Sequence, residues 1–399
     1  MIALAGDGLP PGDEIEGGVR ITRITLDRRI TSALRPLPAR ACTWLARALG
    51  LDPDATILPA ARAHGLDRVR QPLRRSLELG AHVRRVGPWT DAVAAAAPDT
   101  DVFHTQALPA LPVVREAARR SGARYVYDFA DFQTEAGRIA RLPRFARAML
   151  RRRERRWAGG AAGLLAVSEP MADLVAARHR TARPVVVLNC VPAWRADDPT
   201  PPRSTRLRDE LRLPDDRPIV LHHGQLKPER GIEELIRAAD DPQLRALDPA
   251  FVLMGYGRLQ PLLDEAARQR PGRVYVLPAV PVDELLDWVA GADIAYLGCP
   301  PVTLNLRLTL PNKLFESIMA GVPVVAARGT EQARLIEQAG IGRTVDINRP
   351  DQLAGALVDL LALPEAQRLA LRQHCRTLAL TQYSWELRSQ PLVELYGRL

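Results

Sequence analysis

Lysine is nearly missing from this chain. Lys227 and Lys313 are the only two among 55 basic residues, and the other 53 are arginine. Cysteine is scarce as well. Cys42, Cys190, Cys299 and Cys375 are scattered and form no CxxC pair, which argues against a disulfide framework or a zinc site and fits a reducing, cytoplasmic compartment. No run of about 18 apolar residues occurs, so no membrane-spanning helix is expected. The opening MIALAGDGLPPGDE has neither a basic start nor a long apolar core, and does not read as a signal peptide. RNA-binding, zinc-finger and coiled-coil signatures are absent too. The net charge of +9 therefore reads as a GC-rich coding bias toward arginine and alanine, and no nucleic-acid partner is expected.

What is present is alternation. Short β-rich apolar runs recur at Ile2–Ala5, Val19–Thr25, Val102–His104, Tyr125–Asp128, Gly163–Val167 and Pro184–Leu188. After a break they resume at Ile219–His222, Ala250–Met254, Val274–Leu277, Ile294–Leu297, Val322–Ala326 and Gly342–Val345. Amphipathic helical stretches fill most gaps, the pattern of parallel sheets with right-handed crossovers. With 399 residues, 47% of them hydrophobic, the chain can support two cores. The break is ADDPTPPRS, Ala196–Ser204, which reads as a linker. The expected fold class is α/β: two doubly wound Rossmann-like domains, 1–195 and 205–380, with a cleft between them and an amphipathic helix at 381–399.

Ligands of doubly wound sheets sit at the C-terminal strand ends, where helix N-termini point. Three stretches have suitable chemistry. In IVLHHGQLKPERGIEELIRA a strand end is followed by Gly224, by a loop with Lys227 and Arg230, and by Gly231 opening a helix. Cations beside such a turn suit a diphosphate, although an ordinary loop with solvated charges would read the same way. In FVLMGYGRLQPLLDEAA the glycine pair is too short for a dinucleotide fingerprint and by itself marks a tight turn. In LTLPNKLFESIMAGVPVVAA, Pro311 suits a first helical turn and Gly321 a left-handed stop. The N–H groups of Asn312, Lys313 and Leu314 are then expected as donors at a positive helix end, with the Lys313 charge beside them. Glu316, one turn in, can accept two hydroxyl hydrogen bonds from a ribose diol, or can simply offset the helix dipole.

Taken together, HGQLKPERGIEELIRA, LMGYGRLQPLL and LPNKLFESIMAGVPVV resemble, in order and spacing, the donor-domain motifs of retaining family 4 glycosyltransferases of the GT-B fold. The likeness is greatest to the bacterial subgroup with a proline-asparagine-lysine helix start. VYDFADFQTE, LLAVSEPMADLV and VVVLNCVP resemble the end of that family's first domain, and YSWELRSQPLVELYGRL its terminal crossover helix, which returns to the first domain. The similarity spans roughly residues 95–399. It implies a metal-independent hexosyltransferase with no cofactor, which moves a sugar from a nucleotide-diphosphate sugar, with retention, to a saccharide, lipid-linked or small-molecule acceptor. By motif, Gly224, Arg230, Asn312, Lys313 and Leu314 are implied at the diphosphate, Glu316 at the ribose, and Gly255 and Tyr256 near the nucleoside, with Gln225 and Gly231 also in the donor-binding set. The catalytic set implied is Arg230, Lys313 and Glu316, with His104 and Asp128 on the acceptor side; Asp131 is a further polar candidate there.

Several positions depart from the family pattern. Leu308 stands where many members have a glutamate that touches the donor sugar, Gln225 replaces an arginine, Ala130 a histidine, and Gln106 the second histidine of a strand-end pair. These departures keep two rivals open: a pseudo-glycosyltransferase, and a catalytically silent nucleotide-sugar-binding partner. The N-terminus resembles what normally follows the family's first strand, glycine loop and helix, so the chain is expected to begin about one βα unit late. EGGVR precedes a strand and reads as a turn. Finally, RIARLPRFARAMLRRRERRWAGG, Arg138–Gly160, holds nine arginines, with Ile139, Leu142, Phe145 and Met149 at helical spacing. It reads either as a surface helix of the first domain or as a peripheral contact with an anionic membrane on its inner face.

Overall fold

The computed structural model describes residues 2–4, 12–16, 19–24, 87–140 and 142–399. Contacts divide the chain into two compact units. One is Met1–Leu165 with Val175–Arg183 and Leu399; the other is Ala166–Leu174 with Pro184–Arg398. Of the sequence expectations, Ala5, Thr25, Cys42 and the glycines of EGGVR lie outside the described residues.

Near the N-terminus, β1 (Ile2–Leu4), β2 (Gly12–Glu16) and β3 (Val19–Ile24) form a sheet in the order β1-β3-β2, with β1 parallel and β2 antiparallel to β3. Strand β2 is not legible in the sequence, because GDEIE offers one apolar residue and no period-two pattern. A second sheet runs β4 (Val102–Thr105), β5 (Arg124–Phe129), β6 (Gly163–Ala166), β7 (Val185–Val186) in chain order. The helix Leu111–Ser121 joins β4 to β5 and stops at Gly122, whose φ of 75° is left-handed, the usual glycine C-terminus.

The arginine-rich segment corrects its sequence reading. Its helix starts at Arg144 behind Pro143, so Ile139 and Leu142 precede it. The buried stripe is Ala146, Leu150, Glu154 and Ala158, at four-residue spacing, and Leu142 packs with Ala146 and Leu150. Phe145 and Met149 instead point outward, 74% and 45% exposed. Alanine supplied half of the true stripe, and a search for large apolar residues passes over it.

Glu154 is the unexpected member of that stripe, 1% exposed. Tyr127 Oη donates to its Oε1 at 3.0 Å. Burial outweighs this bond and pushes the Glu154 carboxyl up to about 7. Since the unfolded carboxyl titrates near 4.5, the folded chain holds the extra proton between those values. Stability contributed by this group is therefore full below about 4.5 and is lost as pH rises through about 7. Glu154→Gln keeps an acceptor for Tyr127 and carries no charge, so it should be more stable than the wild type above pH 7 and nearly equal to it below pH 5. Denaturant midpoints across pH 5–8.5 check this; parallel curves would show that Glu154 does not titrate.

The second unit is built on six parallel strands: β8 (Ile219–Gln225), β9 (Ala250–Tyr256), β10 (Val274–Leu277), β11 (Ile294–Leu297), β12 (Val324–Ala327) and β13 (Gly342–Val345). Their order is β10-β9-β8-β11-β12-β13, every pair parallel. Each face of the sheet carries a core. Ile219 and Leu221 of β8 face the helix Asn312–Met319 through Leu314, Phe315 and Ile318, while Val220 faces Ile232, Leu235 and Tyr296 on the other side. The strands are buried on both faces, which explains their nearly continuous apolar runs. From β8 the chain adds strands first on one side and then, at β11, on the other, so the order reverses between β8 and β11.

Ala196–Ser204 lies within this second unit. Arg376, wholly buried on the helix Glu365–Gln382, donates to the carbonyls of Trp194, Arg195 and Asp198, and Arg372 donates to that of Pro202. Proline leaves carbonyls without matching N–H groups, and these two guanidinium groups satisfy several of them. The terminal helix Gln390–Gly397 packs on β7 within the same unit, and Trp385 N–H donates to Val191 O at 2.9 Å.

Candidate functional site

The reversal between β8 and β11 leaves a crevice at the C-terminal strand ends, the usual ligand position in such sheets. Three chain segments meet there. The first follows β8. Gly224 pairs with Gly255, and Gln225 with Tyr256, so β8 and β9 run on past His222 and Met254. Gly255 has φ 151°, and a Cβ there would lie 1.8 Å from the Gly224 carbonyl oxygen. The GYG glycines thus permit a close backbone approach that brings Gly224 into place. Tyr256 itself is 63% exposed, and Gln225 is exposed at the last position of β8.

Arg230 and Gly231 close the loop. Gly231 is the residue before the helix Ile232–Ala238, with φ 69°. Tyr296 Oη donates to its carbonyl at 2.8 Å, and a Cβ there would lie 2.1 Å from Gly298 O. Only glycine fits. Arg230 Nη1 contacts Cys299 Sγ at 3.0 Å, which ties this loop to the second segment, the chain after β11. Arg230 Nε is buried with no acceptor among the described residues.

The third segment is the helix Asn312–Met319. Pro311 is its N-cap, extended at ψ 148°, so the proline stands one position before the helical turn expected for it. Leu314 N–H donates to Pro311 O at 3.1 Å and is not directed outward as expected; the first turn closes on itself. Asn312 is exposed, while Leu314 is fully buried in the core. Lys313 turns its ammonium group back over β8, where a Cβ on Gly224 would lie 3.5 Å from Nζ. Burial first, and the Arg230 charge second, pull Lys313 down to about 8.

Glu316 does not stand alone. His223 Nε2 lies 2.8 Å from Glu316 Oε2. A carboxylate only accepts, so this nitrogen carries the proton. His222, on the opposite face of β8, is fully buried and held well below the ordinary histidine value by desolvation. Its Nδ1 is 3.0 Å from Tyr296 O and must donate, which fixes the tautomer and leaves Nε2 unprotonated and without a partner among the described residues. Sequence reasoning passed over His223 and Cys299. The HH pair at a strand end was the available signal for the histidine; Cys299 had none.

Residues 217–363 match the family model for glycosyl transferases group 1. This segment is a glycosyltransferase domain. The match begins just before β8 and runs past β13, and so contains every residue of the crevice. A GDP-mannose-dependent alpha-(1-6)-phosphatidylinositol monomannoside mannosyltransferase of Mycolicibacterium smegmatis is 30% identical over 200 residues, 49% of this chain and 52% of that protein. The chain spans about half the length of the curated relatives first matched. Among solved structures, the sucrose-phosphate synthase of Thermosynechococcus elongatus superposes with a TM-score of 0.68 at 17% identity, covering 100% of this chain and 88% of that one. Anabaena Alr3699/HepE, crystallised with UDP, superposes at 0.62 with 17% identity, covering 78% and 82%. The fold is GT-B, with two parallel-sheet α/β domains.

Outside the glycosyltransferase domain, the first unit brings its own candidates together. His104 on β4 and Asp128 on β5 lie at the C-terminal ends of adjacent strands, with Nε2 3.8 Å from Oδ2 and side chains 32% and 14% exposed. Asp131 is exposed in the loop after β5. Gln133 braces that loop, donating to Gln106 O and accepting from Leu108 N–H.

Proposed function

We propose that the protein is a retaining hexosyltransferase that takes its sugar from a nucleoside-diphosphate donor. The observation that carries this reading is the meeting of Lys313, Arg230 and Gly224 at the strand-order reversal of a group 1 glycosyltransferase domain. The acceptor hydroxyl attacks the anomeric carbon on the face that the diphosphate leaves. Its proton passes to the departing phosphate, and Lys313 and Arg230 stabilise the charge that grows there. With two cations at the phosphates, no divalent metal is required. The acceptor is a saccharide, lipid-linked or small molecule held beside His104 and Asp128, and the reaction is cytoplasmic. Exposed Phe145 and Met149 among the arginines of Arg144–Ala158 fit a peripheral membrane contact. Calorimetry with UDP, GDP, ADP and TDP in chelator tests the donor half; no binding by any of the four overturns it. Slow release of nucleoside diphosphate from a bound nucleotide sugar separates an enzyme from a silent binding partner, the reading that Leu308 and Ala130 favour.

Glu316 supplies a sharper check. In this reading its carboxylate accepts from the ribose diol while His223 holds Oε2. Glu316→Ala should weaken nucleotide binding by about 1.5–3 kcal/mol. It also strands the buried His223 N–H, so it should lower stability as well. Glu316→Gln keeps an acceptor for His223 and should restore stability while recovering only part of the affinity. Unchanged affinity in both variants would remove Glu316 from the site.

A further inference from the structure

The first unit holds a cavity of about 780 Å³ lined by Arg151, Arg152, Arg155, Arg156, Arg178 and Arg180, with His179 at its wall. Its position is set by topology. The helix Arg144–Ala158 ends just before β6 begins, and the helix Glu169–His179 runs back from the end of β6. Both helix C-termini therefore lie at the N-terminal edge of the sheet, opposite to the strand ends that carry His104 and Asp128. The cavity is not part of the acceptor side.

Among the described residues its charge is only partly compensated. Glu135 pairs with Arg151 and Arg178. Arg152, Arg155, Arg156 and Arg180 have no carboxylate within ion-pair distance among the described residues. One or two cations at a helix C-terminus offset the dipole; six around one concavity exceed that purpose. His179 stands at the wall, 2% exposed; its Nε2 lies 3.9 Å from Glu154 Oε2, and neither ring nitrogen makes a hydrogen bond among the described residues. Planar guanidinium forks with an imidazole beside them match phosphate oxygens, and the volume suits a small ligand.

The geometry points to an oxyanion site here: we infer that this cavity binds a phosphate-bearing group, either a soluble phosphate compound or a phosphate headgroup, at a position separate from the donor crevice. The probe is inorganic pyrophosphate, titrated by calorimetry into the full chain carrying Arg230→Ala and Lys313→Ala, so that the donor crevice does not report. Adding Arg155→Gln and Arg156→Gln should weaken binding by at least about tenfold, since each removes a charge-assisted contact. Arg144→Gln with Arg153→Gln removes equal charge from the same helix outside the cavity and should change little. The same pairs are compared for sedimentation with phosphatidylcholine vesicles containing phosphatidic acid. Pyrophosphate binding that depends on Arg155 and Arg156 identifies a soluble phosphate; vesicle binding with that dependence, and none to pyrophosphate, identifies a headgroup. Absence of both, or equal losses from the two pairs, overturns the site. In the otherwise native chain the Arg155/Arg156 pair should leave nucleoside-diphosphate affinity unchanged, so failure here is distinct from failure of the donor assignment.

Discussion

Gly255→Ala should destabilise the second unit by at least about 3 kcal/mol, the range of severe backbone and packing damage. Two costs combine. The residue holds φ 151°, which L side chains rarely adopt, and the new methyl would lie 1.8 Å from the Gly224 carbonyl oxygen and 2.8 Å from its carbon. Backbone cannot swing aside as a flexible side chain does, so β8 and β9 must separate at the point where their pairing carries Gly224 to the crevice. Gly272→Ala isolates the first cost. Its φ is 73° and nothing lies within 4 Å of the added Cβ, so only conformational strain of about 1–2 kcal/mol is expected. Urea midpoints of the two variants should differ clearly. Equal midpoints would show that the β8–β9 approach relaxes without cost.

The next largest effect concerns Lys313. Lys313→Ala should lower affinity for a nucleoside diphosphate by about 1.5–3 kcal/mol, the range of a hydrogen bond to a charged group, with little change for the bare nucleoside. Arg230→Ala should act the same way. Equal losses for both ligands would mean that these residues act through folding. The pH dependence gives a second readout. Lys313 is held at about 8, well below its ordinary 10.5, by burial and by Arg230. Below about 8 the ammonium is charged and meets the phosphates; above it the unliganded protein must take up a proton to make that contact. Diphosphate affinity should therefore fall as pH rises from 8 to 9.5 in the wild type and stay flat in Lys313→Ala, in calorimetry corrected for buffer protonation. A flat wild-type profile would place the lysine away from the phosphates.

Much of this architecture was legible because parallel strands buried on both faces leave long apolar runs between glycine and proline signals. The limits of β10, β11 and β13 fall where the sequence pattern puts them. Strand β2 and the true buried stripe of Arg144–Ala158 were not legible, since an acidic strand and an alanine-lined face lack the contrast that periodicity needs. The residues of the donor crevice were also readable: Gly224, Arg230, Lys313 and Glu316 are types whose chemistry suits a diphosphate or a diol at a strand end or helix start. Their neighbours were not. That His223 holds Glu316, that Arg230 reaches Cys299 and that Lys313 lies over Gly224 depend on contacts between segments about 70 to 93 residues apart, and local pattern carries no information about such distances. The arginine count of the first unit was plain in the sequence. That six of those arginines line one cavity beside a buried histidine was decided only when two helices brought their C-termini to the same edge of a sheet.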